Sequence, residues 1–75
     1  MVQTINFSQA QQLTLAYLDN WLNQLPVSQR SAPTIIFDNR AWSVASMKAQ
    51  VQMGTQVGKQ YINYYVTSLK QYVIQ

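Results

Sequence analysis

The ten residues Thr34 to Ser43, TIIFDNRAWS, limit the possible folds more than any other stretch of the chain. Thr34-Ile35-Ile36-Phe37 is β-branched and aromatic, and Asp38-Asn39 tolerates the positive φ that a two-residue hairpin loop demands. A loop of that length sets Phe37 opposite Arg40, Ile36 opposite Ala41 and Ile35 opposite Trp42. Ile35, Phe37 and Trp42 then share one face. Two strands alone are marginal in water, so this face has to lie on helices, and the chain is expected to be α+β.

The helices are legible on both sides of the hairpin. Residues 1–7 read as an extended lead-in, with Val2, Ile5 and Phe7 available to pack. Ser8 and Gln11 have capping-box spacing, which predicts a helix over residues 8–25 that Pro26 stops. Its inward line is Leu15, Leu18, Leu22 and Leu25, with Trp21 alongside and Leu13 and Tyr17 at the edge; it is too short for a coiled coil. VSQRSAP (27–33) reads as a loop. After the hairpin (34–43), Ser43 or Ser46 caps a short helix over 44–53 that buries Val44, Met47 and Val51. Gly54 ends it and Thr55 caps a long helix over 55–74. A single helix running through Gly54 is the alternative, disfavoured because an interior glycine costs about 1 kcal/mol.

The last helix carries more apolar surface than one small core needs. Ile62, Tyr65, Val66, Leu69 and Val73 fall in one narrow sector beside Gly58 and form the core stripe. Val57, Tyr61, Tyr64, Ser68 and Tyr72 form a second line on its flank. Tyrosine buries a large area at low entropic cost and keeps a polar handle, so Val57, Tyr61, Tyr64 and Tyr72, with Tyr17, are the candidate protein interface. The alternative is that these rings roof the hairpin and the first helix.

All of this fits one 75-residue domain, a size at which a core is marginal and association often adds stability. Only 9% of residues are charged, against about 25% in an average domain, and glutamine and asparagine take their place. Such a surface offers little like-charge repulsion to self-association, and its scarcity of ion pairs points to a mesophilic source. The helix–hairpin–helix–helix order is similar, in layout only, to small joining proteins of phage particles.

Composition also narrows the chemistry. The chain has no Cys, His or Glu, and its two acids are Asp19 in a helix and Asp38 in a turn. The usual nucleophiles, acid–base pairs and metal ligands are missing, so no enzyme, cofactor or metal is expected. GTQVGK (54–59) lacks the spacing of a phosphate-binding loop and reads as a helix-to-helix corner in which Gly58 allows close approach.

Residues 39–75 carry Arg40, Lys48, Lys59 and Lys70 and no acid, a local charge of +4. With Trp42 these make weak nucleic-acid binding the second reading, although two lysines per helix more often serve a solvated face. Membrane binding is not expected, since no apolar run approaches ~20 residues and the last helix has few cations. The N-terminus lacks the basic flank and apolar run of a secretory signal, so a cytoplasmic or virion-associated location is expected. The expected partner is another protein or a second copy of the chain.

Overall fold

A computed structural model describes residues 3–75, so Val2 lies outside the described residues. The chain forms β1 (Thr4–Ile5), α1 (Phe7–Gln24), a 3₁₀ turn (Val27–Gln29) and the hairpin strands β2 (Ile35–Phe37) and β3 (Arg40–Trp42). It continues through α2 (Val44–Met53), α3 (Gln56–Tyr64), a π turn (Tyr65–Leu69) and β4 (Val73–Ile74). The fold is mixed helix and strand, as the sequence predicts. Among the described residues no helix is long and apolar enough to cross a membrane.

The hairpin has the predicted register, with Ile35 opposite Trp42, Ile36 opposite Ala41 and Phe37 opposite Arg40. Asp38 and Asn39 both adopt left-handed backbone, at φ 56° and 60°. That pair of angles gives a two-residue loop the twist of its flanking strands. The Trp42 indole N–H donates to the Phe37 carbonyl at 3.0 Å, which braces the loop end.

The cap of α1 lies two residues before the expected one. Asn6, not Ser8, accepts from the Gln9 N–H at 2.8 Å, and Gln9 Oε1 accepts from the Asn6 N–H at 3.0 Å. Both positions have a glutamine three residues on. Asn6 takes the role because Ile5 is already held in β1. Gln11 is thereby free to donate its side-chain amide to the Val51 carbonyl at 2.9 Å, near the end of α2. The fully buried line of α1 is Ala10, Thr14 and Leu18, with Leu15, Leu22 and Leu25 half-buried beside it. Small residues at the centre let α2 come close. The Thr14 hydroxyl donates to the Ala10 carbonyl at 2.8 Å, so this buried polar group is satisfied.

α2 begins at Ser43, whose hydroxyl accepts from the Ser46 N–H at 3.0 Å, and buries Val44, Met47 and Val51. Gly54, at φ 68°, ends it, which rules out a continuous helix. Thr55 caps α3 by accepting from the Gly58 N–H at 3.1 Å, and its hydroxyl donates to Gln50 Oε1 at 2.7 Å. The corner is thus closed on itself.

The long final helix over 55–74 does not form. α3 ends at Tyr64, and the backbone widens into a π turn in which the Lys70 N–H reaches the Tyr65 carbonyl at 3.1 Å. The Tyr72 N–H bonds the Val66 carbonyl at 3.0 Å, and Gln71 between them is left-handed at φ 60°. These two bonds satisfy carbonyls a helix end would leave open. The chain then reverses into β4, parallel to β1, with the Val73 N–H on the Gln3 carbonyl at 2.8 Å and the Gln75 N–H on the Ile5 carbonyl at 2.9 Å. Ile62, Tyr65 and Val66 are buried as the core stripe requires, but Leu69 and Val73 are exposed. The wider turn carries Leu69 out of phase with the stripe, and strand pairing aims Val73 at solvent.

The core lies between α1, α2 and α3 around Leu18, Met47 and Ile62. The hairpin closes it through the buried Ile35 and the half-buried Phe37 and Trp42.

Candidate interaction surface

Where β2 meets α1 and α3, the aromatic rings gather. Tyr17 stacks on Tyr65 with centroids 4.4 Å apart and 19° between planes, and lies 5.8 Å from Trp21. Phe37 and Tyr61 meet in a T-shaped pair, at 5.2 Å and 86°, and Phe37 stands 5.8 Å from Tyr64. Tyr61 and Tyr64 are 6.0 Å apart. Tilted and offset rings of this kind add about 0.5–1.5 kcal/mol per pair beyond burial. They floor an open concavity of about 340 Å³ whose rim is Ile36, Tyr64 and Leu69.

The proposed flank of the last helix divides between the interior and the surface. Tyr61 is 4% exposed and belongs to the core; Val57 is half-buried; Tyr64 is 42% exposed at the rim of the concavity. Tyr72 is half-buried on the far side of the helix break, where it lines a separate recess with Ile5 and Leu13. The structure therefore brings Tyr61 and Tyr64 together and leaves Tyr72 apart. It adds Phe37, Trp21, Leu69 and Ile36 to the same place. Ile36 was legible in advance, because the register puts it on the opposite face from Ile35 and Phe37. Leu69 was not, since its exposure depends on the π turn.

Burial, with the neighbouring phenols of Tyr17, Tyr64 and Tyr65 as a smaller cause, pushes the Tyr61 hydroxyl up to about 12. Tyr17 is raised for the same first reason, with Tyr65 and Tyr64 contributing. A folded-state value above the usual 10 means the unfolded chain releases this proton first as pH rises. Tyr61 then contributes stability that is fully present below about pH 10 and is lost as pH approaches about 12. Denaturation followed across that range should show stability falling, with Tyr61 ionising only near its top. Ionisation of Tyr61 near pH 10 in the folded protein would contradict this burial.

The basic residues are dispersed. Lys48 pairs with Asp19 at 2.7 Å in a partly exposed bridge, a pairing worth at most about 1 kcal/mol. The Arg40 guanidinium sits 5.9 Å over the Trp42 ring, and the Lys70 ammonium 5.9 Å over Tyr65. Lys59 is exposed on α3. The helix break at Gly54 and the π turn put Lys48, Lys59 and Lys70 on three separate segments, so no common helical stripe exists. Asp38 occupies the hairpin turn and Asp19 its bridge with Lys48.

Set against protein-family models, curated proteins and solved structures, the chain matches none.

Proposed function

We propose that this protein is a non-enzymatic interaction or assembly module that associates with itself through the surface around Tyr64. One observation carries the reading: Tyr64, Leu69 and Ile36, at 42%, 54% and 84% exposed, ring a floor of packed aromatic side chains. Exposed apolar groups around a preformed aromatic hollow are the pattern of an interface centre, where truncating one anchor costs much of the binding energy. The sparse charge of the surface supports self-association, because two copies bring few like charges together. The role needs no cofactor, metal or catalytic group.

Sedimentation over a wide concentration range tests the reading. The mass should rise with concentration, and Tyr64→Ser should weaken the association at least ~10-fold with the fold intact. A monomer at every concentration would sink it, and so would a Tyr64→Ser protein that associates as the parent does. Weak nucleic-acid binding stays as the second reading on Arg40 stacked over Trp42 at the exposed hairpin end. Its mark would be affinity that falls steeply with salt.

A further inference from the structure

The hairpin leaves one strand edge open beside the aromatic hollow. β2 pairs with β3 alone among the described residues, so its other edge has no strand. In an antiparallel pair closed by a two-residue loop, Phe37 and Arg40 exchange both main-chain hydrogen bonds, and Ile36 then turns its N–H and C=O away from β3. The N–H of Thr34, the residue before β2, is engaged inward, donating to the Trp42 carbonyl at 2.9 Å. Ile36 is therefore the residue of β2 that offers both a donor and an acceptor outward, and it does so with its apolar side chain in solvent.

We propose that β2 pairs antiparallel with β2 of a second copy about a two-fold axis at Ile36, joining the two hairpins into a four-stranded sheet. This rests on the self-association reading above and specifies its geometry. A two-fold axis needs a self-complementary patch, and an outward N–H and C=O on one residue is the smallest such patch. Ile36 of each copy exchanges two hydrogen bonds with the other. Ile35 then stands opposite Phe37 of the second copy, on the face that carries the hollow, which brings the second hairpin up to Tyr64 and Leu69 at its rim.

Charge favours this occupant. Natural sheet edges are guarded by lysine, inward-pointing charge or bulges. β2 has no charge, and its one charged neighbour, Asp38, would stand opposite the uncharged Thr34 of the second copy. Arg40 is on β3, away from the pairing edge. Area agrees as well. Ile36, Tyr64 and Leu69 with the strand edge bury on the order of 1,000 Å² over the two copies, the lower limit for a specific interface, so the dimer should be weak and concentration-dependent. A hairpin of three-residue strands is also short of the three or more strands that stand on their own, which a second copy supplies.

A charge exchange at residue 36 tests the axis directly. Ile36→Lys and Ile36→Glu each put like charges opposite one another, and each should weaken association at least ~100-fold. Mixing the two variants should restore a dimer within ~10-fold of the parent, because Lys then faces Glu across the axis. Parent dimers together with single variants that still dimerise would overturn the axis at Ile36 and leave self-association standing. So would single variants that are monomeric and stay monomeric when mixed. A parent that never associates would remove both readings. The Ile36 amide gives a readout without substitution: its hydrogen exchange should slow at least ~10-fold in concentrated parent protein, and an unchanged rate in a dimer overturns the pairing.

Discussion

Gly58→Ala is expected to remove most of the protein's stability. A Cβ at that position would lie 2.5 Å from the Gln50 carbonyl carbon and 2.9 Å from the Val51 nitrogen, and closer still to the Gln50 oxygen. All three are main-chain atoms of α2, so no rotamer change relieves the clash. α2 and α3 would have to separate at the corner that Thr55 ties to Gln50, losing those bonds as well. The cost should be about 3 kcal/mol or more, at the upper end for overpacking, out of a total of only ~3–5 kcal/mol for a domain this small. A fall in melting temperature of at least ~12 °C follows. The sign makes the test sharp: by helix propensity alone alanine would be the better residue by about 1 kcal/mol. An alanine variant that melts with the parent would show that α2 and α3 do not pack this closely.

Leu18→Ala should cost about 3–4 kcal/mol, the second large effect. Leu18 is fully buried where α1 faces α2, and neighbours held in three helices cannot collapse into the space it vacates. Leu13, one turn and a half earlier, is 38% exposed, and Leu13→Ala should stay within about 1 kcal/mol. Urea denaturation of the pair would separate them: similar midpoints for the two variants would mean that α1 is rotated from the arrangement described.

The contrast between those two leucines shows where reading the residues in order reaches its limit. The hairpin register, the Gly54 stop and the Thr55 cap were all legible, and the cap of α2 was narrowed to Ser43 or Ser46, because each depends on atoms within a few residues of one another. Asn6 and Ser8 are equally able to cap α1, each with a glutamine three residues on. What separates them is β1, whose partner β4 lies almost seventy residues away in the chain. The interaction surface was half legible for the same reason. Tyr64 was on the flank that periodicity marked, but periodicity gives Tyr61 the same rank. Only the hairpin, folding its Phe37 onto that ring, sends Tyr61 inside and leaves Tyr64 at the rim.

By itself the sequence determined the local pieces: a hairpin whose first strand is uncharged and carries an apolar outward residue, helices with defined stops, and a composition poor in the groups that catalysis needs. Those follow from backbone sterics, short-range hydrogen bonds and residue chemistry. The tertiary structure decided where the last helix ends, and with it the surface. Pairing of Val73–Ile74 with Thr4–Ile5 satisfies main-chain groups at both chain ends, and that long-range gain outweighs the helical propensity of the final turn. The cost falls on Leu69 and Val73, which leave the core for solvent. The exposed Leu69 beside Tyr64 and Ile36 is a product of that trade, and no local rule could have placed it there.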